Sequence, residues 1–293
     1  VHVTGIADLR SILARHKAAG RTISFVPTMG ALHDGHKSCI EMARRHGDIL
    51  LVSIYVNPQQ FGPGEDYEKY PKTLEEDLEL CRRLSCDIVF APEDREMYPI
   101  PQNTWVTVEG LTAPLCGRNR PGHFRGVVTV VAKLFNIVQP DVAVFGQKDA
   151  QQALVIREMV RRLDFPVRLL LSPTIREADG LAVSSRNKYL SPAERGRAAA
   201  IHGSLCAARN LLESGERNPG AVVDCVKHHL HESGIDPIEY VELLASDDLS
   251  QLNRVRGKVI LAVAVKLGET RLIDNIVLNV EDAGPVSEAM LFS

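Results

Sequence analysis

His33 and His36 stand where an apolar run, residues 23–26, ends in Pro27, Gly30 and Gly35. Polar and apolar residues then recur at helical spacing over 36–45, with Cys39, Ile40 and Ala43 on one face. A strand that empties through a glycine-containing loop into a helix aims backbone N–H groups at the helix entrance, where an anion is favoured. At the carboxyl end of a parallel strand, such a loop suits nucleotide phosphates. Zinc is the competing use of two histidines at this spacing. It wants rigid helical geometry and a third ligand, and Gly35 loosens the pair. Neither G-x-x-x-x-G-K-[ST] nor G-x-G-x-x-G occurs, so a nucleotide bound here is held by another device.

Three further clusters carry charge suited to anions. Lys148 and Asp149 follow the apolar run 142–145 and open a helix over 150–163. Lysine at a strand's carboxyl end is a point charge for phosphate. Arg118, Arg120, His123 and Arg125 precede a helix over 127–138. A guanidinium fork pairs bidentately with carboxylate or phosphate, although three close arginines equally describe a solvated face. Ser184, Ser185 and Arg186 offer two hydroxyls, backbone donors and a fixed cation, a combination that alone is ordinary surface-loop material. Residues 62–73 have no clean periodicity and are read as a lid over the site. Glu75, Glu76 and Asp77 fill the first turn of a helix over 74–84, where negative charge suits the macrodipole. Glu76 and Asp77 are also candidate magnesium ligands.

The elements that must position these groups alternate. A helix from Ile6 ends at Gly20, and strands are expected over 23–26, 49–56, 87–91, 105–108, 142–145 and 167–171. The run 49–56 is almost unbroken apolar, as in a strand covered on both faces. Strand, helix and strand make right-handed βαβ units, hence an α/β, Rossmann-like doubly wound parallel sheet. After Pro192 the composition changes. Helices over 193–214 and 219–233 are followed by strand-like runs over 237–244, 259–267 and 270–276, with Gly268-Glu269 as a hairpin turn. This is a smaller α+β domain, and the chain divides into 1–174 and 175–293.

With 293 residues there is enough chain for two cores. A hydrophobic content of 45% and charged content of 24% are ordinary for a globular protein, and a net charge of −3 builds no basic footprint for nucleic acid. No apolar run approaches a membrane span, and no signal-peptide pattern is seen. The six cysteines form no C-x-x-C, which favours free thiols in a reducing cytoplasm.

His33-Asp34-Gly35-His36 resembles the H-x-G-H motif shared by nucleotidylyltransferases and class I aminoacyl-tRNA synthetases. The longer stretch 27–36 resembles the pantothenate synthetase family within that superfamily. So do residues 56–61, 120–124, 145–149, 151–152 and 179–187, in family order. The second domain resembles the family mainly at 271–275. Val183 and Gln59 stand where many members have methionine, substitutions that leave the expected activity unchanged.

The resemblance implies joining of pantoate to β-alanine by an ATP- and magnesium-dependent, homodimeric enzyme that releases AMP and pyrophosphate through a pantoyl adenylate. It implies that His33, His36, Lys148 and the Ser184-Ser185-Arg186 loop act on the phosphates. Pro27, Thr28, Met29, Gly30 and Gly35 belong to the ATP loop. Gly146, Asp149 and Val183 line the adenosine site, with Asp149 on the ribose. Gln60 and Gln152 hold pantoate, Met29 and Phe61 form its apolar wall, and Arg120 and His123 mark the β-alanine region. A cytidylyltransferase would share the histidines without reason for Gln60, Gln152 and Arg120. A tRNA synthetase fragment would need a basic RNA-binding module. A regulator that had lost catalysis would have no need to retain the histidines, Lys148 and the serines together.

Overall fold

The computed structural model describes residues 1–282 and 284–292. Its first part runs β1 (His2–Val3), α1 (Ile6–Ala18), β2 (Ile23–Thr28), α2 (Asp34–Arg44), β3 (Ile49–Ile54), α3 (Leu74–Arg83) and β4 (Ile88–Phe90). Short helices α4 (Asp94–Met97) and α5 (Cys116–Asn119) lead to α6 (His123–Val138), β5 (Val142–Gly146), α7 (Ala150–Arg162) and β6 (Arg168–Ser172). The six strands form one parallel sheet in the order β1-β4-β3-β2-β5-β6.

The unbroken apolar runs are explained by burial on both sides. Ile23, Phe25, Ile49, Leu51, Ile88, Phe90, Ala143 and Phe145 share a core with α1, α6 and α7. Val26, Leu50, Val52, Ile54, Val89, Val142 and Val144 pack instead with Cys39, Ile40 and Ala43 of α2 and Cys81 of α3. Because side chains alternate along a strand, one run feeds both cores. The sheet is therefore doubly wound, and the chain reverses its direction of strand addition between β2 and β5. The crevice at their carboxyl ends is the topological switch point.

The second part contains α8 (Pro192–Glu213), α9 (Pro219–Glu232), β7 (Ile238–Ala245), β8 (Gly257–Leu267), β9 (Thr270–Val280) and β10 (Val286–Glu288). These strands form an antiparallel sheet in the order β10-β9-β8-β7. One face, with Val241, Leu243, Val259, Leu261, Val263 and Leu278, packs under α8 and α9. The other, with Tyr240, Leu244, Ile260, Ala262, Ala264 and Val277, joins the core of the first sheet. Each fully buried side chain of this kind stabilises by about 1.5–3 kcal/mol. Gly268, at φ +56°, makes the β8–β9 hairpin turn.

The strand expected over 105–108 does not form. The Val106 N–H donates to the Thr129 hydroxyl at 3.1 Å rather than to a neighbouring strand. The Trp105 ring packs under the Arg125 guanidinium, 4.4 Å from its centroid. Helix α6 begins at His123, four residues before the expected start, because Gly122 at φ +84° turns the chain into it.

Candidate active site

The histidine loop leaves β2 through Thr28, whose hydroxyl donates to Ser53 O at 2.7 Å and accepts the Gly30 N–H at 3.2 Å. Gly30 lies at φ +80°, and a Cβ there would sit 2.9 Å from Asp77 Oδ2 and 3.1 Å from Ile54 Cγ2. Backbone conformation and space both demand glycine. Asp77 is the loop's anchor. Its carboxylate accepts the N–H groups of Ala31 at 2.9 Å and Leu32 at 2.7 Å, and the Thr73 hydroxyl at 3.2 Å. Asp77 and Glu76, the candidate magnesium ligands, differ in their surroundings. Asp77 is buried with both oxygens committed, and Glu76 is exposed on the same turn.

His33 is the N-cap of α2 and His36 its third residue, and they cap it reciprocally. His33 Nδ1 accepts the Gly35 N–H at 3.1 Å, and His36 Nδ1 accepts the His33 N–H at 3.3 Å. Burial, followed by the charge of Lys148, lowers His33 to about 4. Burial, then His33 and Lys148, lowers His36 to about 3. Both rings are therefore neutral at physiological pH. With each Nδ1 accepting a backbone proton, each ring's own proton resides on Nε2. The motif thus presents two neutral N–H donors from a helix N-terminus.

A cavity of about 1410 Å³ opens between the two sheets. Lys148 and Asp149 reach it from the β5–α7 turn, Gln152 from the first turn of α7, Arg120 from the α5–α6 turn, His123 from the start of α6, and Ser184 and Arg186 from the segment between β6 and α8. Phe61 lies in its wall, together with residues 62–69. Met29, Gln60, His33 and His36 are not among the residues that line it. Gln60 is buried, its amide donating to Met29 Sδ at 3.1 Å and accepting from Asn57 at 3.2 Å. Pro27, Thr28, Gly30, Gly35, Gly146, Val183 and Ser185 also lie outside it. The Val183 N–H donates to Ile175 O at 2.9 Å, and Ser185 is buried.

Segment 62–73 lies against Arg120 and Arg186 of the site. Glu65 takes Arg120 in a two-point pair at 2.7 and 2.5 Å. Asp66 takes Arg186 at 2.8 and 3.0 Å, and the Tyr189 hydroxyl donates to Lys69 O at 3.0 Å. The Ser184 hydroxyl accepts the Arg186 N–H at 3.3 Å and caps the loop. His123 Nδ1 donates to Gln60 O at 2.8 Å, which leaves Nε2 to accept from Arg120 at 3.0 Å. Burial, then the Arg120 charge, holds His123 at about 4, so it too is neutral.

The arginine cluster divides. Only Arg120 lines the cavity, while Arg118 pairs with Glu242 at 3.0 Å and Arg125 stacks on Trp105. Sequence reading missed Asp77 as an anchor and Glu65 and Asp66 as partners. The runs Glu65-Asp66 and Glu75-Glu76-Asp77 were the available signal, but nothing local names a partner tens of residues away. Among the described residues, no group of three or more His, Cys, Asp or Glu side chains is arranged to hold a metal ion. No helix among the described residues is long and apolar enough to cross a membrane.

The family model of pantoate-beta-alanine ligase matches residues 2–277. The chain is 52% identical over 277 residues to the pantothenate synthetase of Moorella thermoacetica, covering 94% of this chain and 98% of that relative. The crystal structure of pantoate-beta-alanine ligase (pantothenate synthetase) from Thermus thermophilus matches with a TM-score of 0.90 and 42% identity, over 100% of this chain and 99% of that one. A pantoate-beta-alanine ligase from Francisella tularensis, complexed with beta-gamma ATP and beta-alanine, matches with a TM-score of 0.79 and 31% identity, over 94% and 96%. The chain belongs to the pantoate–β-alanine ligase family.

Proposed function

We propose that the chain joins (R)-pantoate to β-alanine at the expense of ATP, giving pantothenate, AMP and pyrophosphate through a pantoyl adenylate. The observation that carries this is the convergence of Lys148, Gln152, Ser184, Arg186 and Arg120 on one cavity at the sheet's switch point. A carboxylate is a poor electrophile. Its oxygen first attacks the α-phosphorus of ATP, forming the acyl phosphate bond as pyrophosphate leaves. The β-alanine nitrogen then attacks the acyl carbonyl, AMP leaves, and the amine loses a proton.

In this reading the Nε2–H donors of His33 and His36 meet the phosphates, and Lys148 neutralises charge that grows on the α-phosphate. Such a preorganised charge is commonly worth about 3–4 kcal/mol. Ser184, Ser185 and Arg186 cover the triphosphate, with Pro27, Thr28, Met29, Gly30 and Gly35 lining the loop below. Gly146, Asp149 and Val183 face the adenosine, Asp149 taking the ribose. Gln60 and Gln152 hold pantoate through uncharged amides, against Met29 and Phe61. Arg120 takes the β-alanine carboxylate, with His123 behind it. Holding the reactants in line accounts for roughly 7–11 kcal/mol of barrier lowering in favourable cases.

Residues 1–174 then form the nucleotide- and pantoate-binding domain, and 175–293 the domain that brings the serine–arginine loop. Magnesium, in this reading, arrives on the triphosphate as part of the substrate, keeping most of its waters. Free thiols at all six cysteines suit a reducing cytoplasm. A homodimer is proposed on the family's pattern, and light scattering showing only monomer at micromolar protein would remove it.

The deciding assay is release of AMP, expected only when pantoate and β-alanine are both present with ATP. Exchange of labelled pyrophosphate into ATP should need pantoate and magnesium but not β-alanine. Exchange that requires β-alanine would replace the stepwise route by a concerted one.

A further inference from the structure

The turn bearing Lys148 is held from the other domain. Asn275, buried on β9, donates from its Nδ2 to Gln147 O at 3.1 Å and to Lys148 O at 2.9 Å. Two carbonyl acceptors leave no ambiguity about which end of the amide faces them. The Asn275 Oδ1 is buried without a hydrogen-bond partner among the described residues, so the side chain is oriented for its donors. Its main chain is pinned as well. The Asn275 N–H donates to Asp274 Oδ1 at 2.8 Å, and Asn275 O accepts from Arg176 at 3.5 Å.

Asp274, also buried, reaches the opposite way. It accepts two hydrogen bonds from Arg176, at 2.6 and 3.0 Å. Arg176 also donates to Gly180 O at 3.1 Å and bridges to Ala182, two residues before Ser184. One dipeptide thus grips the Lys148 turn on one side and the stem of the serine–arginine loop on the other.

We propose that Asn275, seated by Asp274, is a positioning residue for adenylation. It fixes the Lys148 turn in register with Ser184 and Arg186. It lines the same cavity beside Lys148, its two donors are spent on the turn rather than on the cavity, and its role as a positioning residue rests on the role given to Lys148 above. A displacement near 1 Å at a reacting centre costs on the order of 100-fold, so a lost tether at the turn has room to matter.

The test is a double-mutant cycle read by single-turnover adenylation, with pantoate and ATP dissociation constants measured alongside. Asn275→Ala should slow adenylation by about 10–100-fold, with both constants moving by less than about threefold. In a Lys148→Ala background the same change should have almost no further effect, within about twofold. Asn275→Asp, of equal shape but without donors, should be at least as slow as Asn275→Ala. A near wild-type rate in Asn275→Ala or Asn275→Asp overturns the proposal, as does an undiminished effect of Asn275→Ala in the Lys148→Ala enzyme. If Asn275→Ala fails to fold, Asn275→Ser, whose single short donor cannot span both carbonyls, replaces it in the same cycle with the same outcomes. Failure of the Lys148 reading shows separately, as Lys148→Ala alone adenylating at near wild-type rate, and overturns both.

Discussion

Arg186 and Asp66 face each other across the mouth of the cavity in a two-point ion pair, Nε to Oδ2 at 2.8 Å and Nη2 to Oδ1 at 3.0 Å. The guanidinium proposed to meet the triphosphate is therefore already neutralised by the segment above it. Burial alone would raise the Asp66 carboxyl, but the Arg186 hydrogen bonds and charge outweigh it and hold the carboxyl below its ordinary range. A depressed folded pKa makes this contact fully present above the ordinary carboxyl value and lost as pH falls through the lowered one. On that proposal, a triphosphate entering at neutral pH displaces Asp66.

Asp66→Asn should therefore strengthen equilibrium binding of ATP, by up to about fivefold, the ~1 kcal/mol limit of a partly exposed pair. The gain should shrink in high salt, which already screens the pair. Weaker ATP binding in Asp66→Asn would mean that the pair helps to hold the nucleotide rather than competing with it.

Lys148 and Gln152 occupy the same cavity but should fail differently. Lys148→Ala should cut single-turnover adenylation by about 10²–10³ with pantoate affinity altered much less, because the lost charge acts where charge grows. Gln152→Ala should instead weaken pantoate binding, by about 1.5–3 kcal/mol for a hydrogen bond to a charged group. Equal losses of rate and affinity in both variants would dissolve the distinction.

The histidine pair makes a prediction about acid. His33 is held at about 4 in the folded chain, against an ordinary 6.5. Between those values the unfolded chain binds more protons, so folding stability falls as pH falls from about 6.5 towards 4 and is undiminished above 6.5. His33→Asn removes the titration while keeping a side chain suited to an N-cap. Melting curves from pH 4 to 7 should then show a shallower acid limb, by up to one proton. The same variant should adenylate more slowly, because the shorter amide does not carry a donor to where the imidazole Nε2–H stands. An unchanged acid limb would mean that His33 is not the group titrating there.

Asp77 should matter to stability and not to metal. Asp77→Ala orphans the buried N–H of Ala31 and the part-buried N–H of Leu32, at about 1–3 kcal/mol for a buried donor left unsatisfied and less for the other. The dependence of activity on magnesium concentration should keep its midpoint in Asp77→Asn, which retains two polar side-chain atoms at the anchor. A midpoint raised tenfold or more would restore Asp77 as a ligand.

Local patterning alone determined much of this protein. The runs 49–56 and 142–145 announced strands buried on both faces, because only a sheet covered twice lets both parities of a strand be apolar. The change after Pro192 announced a separate α+β layer, and the strand, turn and helix patterns around His33 and Lys148 announced two loops at the carboxyl ends of parallel strands. Short edge pieces left no such trace. β1 spans two residues and β10 three, too few for any period to register. Residues 105–108 had the composition of a strand but no partner backbone, since the Val106 N–H is taken by a side chain.

Tertiary structure alone decided which charges meet. Arg118, Arg120 and Arg125 are indistinguishable in sequence, yet they face Glu242, Glu65 and Trp105. Asp77 sits in an acidic first turn like Glu75 and Glu76, and only its burial beneath residues 31–32 makes it an anchor. Asn275 lies on a strand more than a hundred residues from Lys148, and its two donors find that turn only when the second sheet packs on the first. Secondary structure follows from side-chain period along a few neighbouring residues, whereas a hydrogen bond or ion pair depends on where two distant backbones come to rest.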